Sequence, residues 1–139
     1  MKKQIVFIVL LFVSLSAFSQ EKKAFSSIMD IDTGAELKDV KIETQAVFFE
    51  KGSGNYRVPN KLKFGYIVFR CYEEGKPIRK GQLNEEVGEF VYVKKDHKNL
   101  VKKMKKGQKL NLTGTVFVNN NMGYKQSNFI VEKIELIDE

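Results

Sequence analysis

Tryptophan is absent, and 139 residues hold one cysteine, one histidine and two prolines. One cysteine excludes a disulfide framework within the chain, and one histidine beside one cysteine leaves no Cys/His set for zinc. No glycine-rich phosphate loop, EF-hand loop or His-Glu-x-x-His run occurs. Nucleophilic catalysis needs a nucleophile, a base and an orienting group. His97 lies among lysines at the start of a helix, and Cys71 falls on the inward side of a strand, where a thiol is an inert filler. Glu73-Glu74 and Glu85-Glu86 are neighbours in sequence and do not face each other across a substrate. No catalytic residue, cofactor or metal is expected.

What is present is ordinary for one globular domain: 42% hydrophobic and 29% charged residues, with 24 Lys+Arg against 17 Asp+Glu. Residues 1–19 read as a secretory signal peptide. Lys2 and Lys3 form its positive start. Ile5 to Val13 is an apolar run shorter than the roughly 20 residues a spanning helix needs. Small residues at Ala17 and Ser19 predict cleavage before Gln20. Cys71 is too far away to be a lipid anchor. The expected location is periplasmic or extracellular, and loss of Lys2 and Lys3 lowers the formal charge from +7 to +5.

Residues 20–39 are a mixed lead-in, apolar at Phe25, Ile28, Met29 and Ile31, and expected to hold a short helix docked on the domain that follows. The domain itself is residues 40–139. Val40 to Glu50 reads as a first strand, ended by Lys51-Gly52-Ser53-Gly54-Asn55, and Val58-Pro59-Asn60 prolongs the loop. Phe64 to Glu73 is the strongest strand, with Ile67, Phe69 and Cys71 on one face and Tyr66, Val68, Arg70 and Tyr72 on the other. Glu89 to Lys95 is a third strand, Val91 and Val93 inward, Phe90, Tyr92 and Lys94 outward. Asp96 then reads as an N-cap and Gly107 as the stop of a helix over 97–106, with Leu100, Val101 and Met104 on its buried side. Lys109 to Asn119 and Asn128 to Ile137 are the last two strands. Gly114 in mid-strand predicts a sharp bend or a close backbone approach, and the irregular fifth strand predicts a bulge near Glu132-Lys133.

Five short strands cannot each bury a face alone, so a small closed barrel is the economical, mainly β answer. The segment Gly107-Gln108-Lys109-Leu110-Asn111-Leu112-Thr113-Gly114-Thr115-Val116, followed by Phe129-Ile130-Val131-Glu132, resembles the last two strands of OB-fold domains. The helix just before it, between strands three and four, strengthens the likeness, which covers about residues 38–138. An SH3-like barrel is the structural rival; a lipocalin-like fragment is disfavoured by length and by the position of the helix.

The resemblance implies that strands two and three and their flanking loops carry the ligand surface. The tyrosines fall there: Tyr56 and Tyr124 in the loops, and Tyr66, Tyr72 and Tyr92 on the outer face of the strands. Arg57, Arg70, Lys94 and Lys125 interleave cations with these rings, the chemistry of single-strand binding. Tyrosine also suits the half-exposed side of any sheet because it packs and hydrates well. A solvated helix face likewise accounts for Lys98, Lys102, Lys105 and Lys106. The expected function is an exported, non-catalytic OB-like binding module for a protein, glycan or other polyanion. A single-stranded nucleic-acid binder is the alternative, opposed by export, and a small secreted enzyme is disfavoured.

Overall fold

The strands found in the computed structural model follow the runs of β-branched and aromatic residues closely. It describes residues 20–30, 40–52, 60–121 and 123–137. The signal-peptide reading of 1–19 and the later part of the lead-in, 31–39, lie outside the described residues. In chain order the elements are β1 (Glu21–Lys22), α1 (Phe25–Met29), β2 (Lys41–Lys51), α2 (Asn60–Lys63), β3 (Tyr66–Tyr72) and β4 (Glu89–Lys94). A 3-10 turn (Lys95–His97), α3 (Lys98–Lys103), β5 (Lys109–Asn121) and β6 (Tyr124–Leu136) complete it.

The sheet order is β1-β2-β3-β4-β6-β5, and β2 also pairs with β5, so five strands close into a mixed barrel. β2 makes the closure possible. Lys41 to Val47 pair antiparallel with Thr115 to Lys109, while Val47 to Lys51 pair with β3 on the other side. β4 and β6 run parallel, Val91 opposite Phe129 and Val93 opposite Val131. Their connection passes through α3 and β5.

Alternation of side chains fills the interior. Ile42, Ala46 and Phe48 of β2, Phe69 and Cys71 of β3, and Val91 and Val93 of β4 are all buried in one cluster. Leu110, Leu112 and Val116 of β5 and Phe129, Val131 and Ile134 of β6 complete its wall. The step from Val131 to Ile134 is three residues, not two. Thr113 faces Lys133 while Gly114 faces Val131, so Glu132 is the extra residue of a bulge where one was expected. Gly114 sits at that bulge because nothing larger fits: a Cβ there would strike the Ile130 carbonyl and stand 2.9 Å from Val131 Cα.

Two ends of the chain's irregular parts plug the interior. α1 brings Phe25 and Ile28, 1% and 0% exposed, into the core cluster, so the lead-in's short helix does dock and is part of the core. β1 holds it in place, Glu21 opposite Ile42 and Lys22 opposite Glu43 in parallel register. On the other connection the helix is shorter than the sequence suggests. Asp96 lies in the 3-10 turn and makes no cap; His97 precedes α3 without a side-chain cap bond. The chain leaves the helix at Met104, whose extended backbone turns its side chain into the core. Gly107, at φ +88°, therefore does not stop the helix but makes the following turn, its amide donating to the Phe48 carbonyl at 2.9 Å. Val101 and Met104 are buried as expected; Leu100 is only half-buried, because so short a helix presents little of its surface to the barrel.

Among the barrel strands α3 stands between the third and fourth. The two-residue β1 was not legible in the sequence, and counting it places α3 between β4 and β5. α2, a single turn with Leu62 buried, also interrupts what reads as continuous loop.

Phe25→Ala should cost about 3–5 kcal/mol, the range for emptying a buried aromatic site, seen as a lower urea midpoint with an unchanged slope. An unchanged midpoint would show that α1 is not part of the core.

Candidate functional site

The antiparallel pairing of β3 with β4 sets the outer face in three rows. Tyr66 lies opposite Lys94, Val68 opposite Tyr92, and Arg70 opposite Phe90. The period-two assignment of these side chains holds, yet the rows differ in how open they are.

The middle row is closed. Tyr92 is 2% exposed, contrary to the partly exposed ring expected of a ligand platform. β4 is a central strand, and Tyr92 is flanked by Val68 on one side and Ile130 of β6 on the other. An outward ring so placed is walled in by its neighbours and becomes packing.

The Arg70 row is occupied by its own chain. The Arg70 guanidinium pairs with Glu50 Oε1 at 2.8 Å and lies 4.8 Å from the centre of the Phe90 ring. Arg79 approaches the same ring at 5.7 Å and bonds Glu89 at 2.7 Å and the Gly88 carbonyl at 3.1 Å. Tyr72 meets Phe49 edge-on at 6.3 Å, and Lys106 Nζ sits 4.5 Å over that same Phe49 ring. Cation–π contact and edge-to-face packing each favour this arrangement by about 0.5–1.5 kcal/mol. Phe49, Phe90 and Arg79 thus form with Arg70 and Tyr72 a second, external packed layer. Arg70 and Tyr72, both expected at the ligand surface, therefore have partners within the chain that no local sequence pattern reveals.

The open row is the third. Tyr66 is half-buried and Lys94 exposed, side by side at one end of the two strands. The Lys95 amide donates to the Gly65 carbonyl at 2.9 Å, which fixes the start of the lysine-rich connection against the residue that follows Phe64. Phe64 is 82% exposed, a large apolar ring standing out beside Tyr66 and next to exposed Lys63. The β-rich run Phe64 to Glu73 predicts it as the first residue of a strand, but the strand starts at Tyr66. Gly65, at φ +84°, instead turns the chain between α2 and β3 and leaves the ring outside.

The lysines that follow extend this end. Lys94, Lys95, Lys98, Lys102, Lys103, Lys105 and Lys106 are exposed, with Asp96 the single acid in the same stretch. Among the described residues no ion pair engages any of them. Elsewhere several lysines are matched, Lys23 with Glu21, Lys41 with Glu132, Lys80 with Glu86, Lys109 with Glu74 and Lys133 with Glu135, while Lys22, Lys51, Lys63 and Lys76 stand apart along the chain without such a pair among the described residues. Among the described residues, cations without an acid partner are densest on this connection, which starts beside half-buried Tyr66 and near exposed Phe64.

Tyr56 and Arg57 lie outside the described residues, as do the side chains of Tyr124 and Lys125. The backbone of the latter two opens β6, opposite Asn121 and Asn120. Cys71 is fully enclosed, and burial pushes its thiol well above the ordinary range, so it is no nucleophile in this state.

A separate groove of about 470 Å³ runs along β2, between β1, the Glu73-Glu74 segment that follows β3, and β5, lined by Lys22, Lys23, Glu43, Gln45, Glu73 and Lys109 among others. Its charges are mostly spent internally. Glu73 accepts hydrogen bonds from the Ser26 hydroxyl and amide at the start of α1, and these hold its carboxyl below the usual range. Glu89 is shifted the other way: burial raises it, and the Arg79 charge opposes that rise.

A carboxyl held low by folding adds stability that is present above its unfolded value and lost as pH falls through its folded one. Glu73→Gln should therefore lower stability at neutral pH by about 0.5–1 kcal/mol, the lower range of a lost helix cap at a solvent-screened site. The gap from wild type should close as pH is taken below the usual carboxylate range. A gap constant with pH in thermal melts would show that the Ser26–Glu73 clasp does not stabilise α1.

No protein-family model matches this chain, and no curated protein matches it.

Proposed function

We propose that the chain is an exported, non-catalytic binding module, periplasmic or extracellular, built on an OB-like barrel, and that its ligand is an extended polyanion. The single observation that carries this reading is exposed Phe64 and half-buried Tyr66 close in the chain to a connection whose lysines have no acid partner among the described residues. The strand order supports the OB likeness: among the barrel strands it is first, second, third, fifth, fourth and back to the first, with a helix between third and fourth. OB-folds use the outer face of strands two and three and the adjoining loops for oligosaccharides and oligonucleotides. Export favours an anionic glycan or the acidic surface of a protein as the ligand.

Rings offer a flat apolar surface and the lysines a set of point charges, and neither demands a fixed ligand geometry. Such a site reads charge density along a chain, so its affinity falls as salt screens the charges. The same pairing of rings with cations suits a single-stranded nucleic acid, where stacking contributes about 1–3 kcal/mol per base. That second reading rests on the same residues and differs in the ligand.

Titration with a sulfated polysaccharide and with a single-stranded oligonucleotide tests both. The double variant Phe64→Ala with Tyr66→Ala should bind the preferred ligand at least tenfold more weakly, since about 1.4 kcal/mol is one decade. Its melting temperature should move little, because Phe64 is exposed and Tyr66 half-buried. Preference for the oligonucleotide would favour the second reading. Binding to neither, or binding indifferent to salt, would overturn the polyanion site.

A further inference from the structure

We infer that Gln20 is a modification site: on export it becomes the first residue, and its α-amine closes on its own side-chain amide to give a pyroglutamyl end. This rests on the export reading, with cleavage after Ala17-Phe18-Ser19. A first-position glutamine carries an amide carbon at the separation from its own α-nitrogen that closes a five-membered ring. The α-nitrogen attacks Cδ, the new N–Cδ bond forms and the Cδ–Nε2 bond breaks. The amide nitrogen leaves as ammonia, taking the proton that the α-amine gives up. No oxidant, reductant or second substrate is consumed, and the chain end loses its positive charge.

The fold leaves the reacting atoms free and holds everything after them. Gln20 is exposed, and among the described residues nothing bonds its side chain. The next residue is already on the sheet: Glu21 opposite Ile42, Lys22 opposite Glu43, and the Lys23 amide donating to the Glu43 carbonyl at 3.1 Å. Phe25, five residues on from Gln20, is in the core at 1% exposure. An aminopeptidase that began at a free Gln20 amine would remove Gln20, then the two residues of β1, and so undermine the anchor of α1. The lactam has no free α-amine and gives such an enzyme no starting point. The ring thus protects the short segment on which one plug of the barrel depends.

The test is the intact mass and stepwise N-terminal sequencing of full-length chain expressed in an exporting host and purified after export. The expected product starts at residue 20, weighs one ammonia less than its sequence, and is blocked to sequencing until a pyroglutamyl peptidase exposes Glu21. A product that starts at residue 20 and keeps its ammonia after long incubation would overturn the modification and leave export standing. A product that starts elsewhere would overturn the export reading, and with it this site. A Gln20→Ala variant should be trimmed by an aminopeptidase that leaves the wild-type product intact; equal trimming of the two would overturn the protective role.

Discussion

Closure of the barrel rests on β2, a strand long enough to serve two neighbours. Its first half pairs with β5, its second half with β3, and Val47 belongs to both ladders, opposite Lys109 and Tyr72. Without the β2–β5 pairing the remaining strands form an open sheet with two unpaired edges, the arrangement that invites association with other chains. With it every barrel strand has a partner on each side, and the interior becomes one enclosed core. The bulge at Glu132 and the bare backbone of Gly114 let β5 and β6 approach closely enough to curve into place.

Closure also decides which side chains the interior holds. The interior of the barrel is occupied by Phe48, Phe69, Phe129 and Leu112, all buried in one cluster. The proposed ligand surface accordingly lies on the outer face and the connections. On that face the chain spends several of its own cations and rings on itself, through Arg70 with Glu50 and Phe90, Arg79 with Phe90, and Lys106 with Phe49. These contacts stiffen the far end of β3 and β4. Lys94, Lys95, Lys98, Lys102, Lys103 and Lys105, which no such contact or ion pair engages among the described residues, lie at and beyond the Tyr66 end of the same face.

The strands were legible because β-branched and aromatic residues at period two leave few alternatives, as in Phe64 to Glu73 and Lys109 to Asn119. The bulge was legible from a broken period at Glu132-Lys133, and the close approach from a glycine in mid-strand. Other features were not, for definable reasons. α1 is five residues long, too short to display a helical period, so the burial of Phe25 and Ile28 follows only from the barrel they plug. Helix ends depend on Met104 entering the core, not on the capping residues Asp96 and Gly107. Period two told which side Tyr92 faces, but burial depends on neighbours in other strands, Val68 and Ile130. The Arg70–Glu50 pair joins residues 20 apart across a register shift in β2, which no local pattern reveals. Phe64 was hidden in a strand-like run, and only the left-handed turn at Gly65 shows it outside.

The closure of β2 on β5 is tested most directly by proton NMR contacts between the two strands. Antiparallel partners whose amides point away from each other bring their α-protons closest. Glu43 with Thr113 and Gln45 with Asn111 are such pairs, because Phe48, in phase with Thr44 and Ala46, directs its amide to the β5 side. A closed barrel predicts strong α-proton cross-peaks for both pairs, alongside those of β3 with β4 and of β5 with β6. Their absence in a folded protein that shows the other ladders would mean an open sheet, and would contradict the closed barrel.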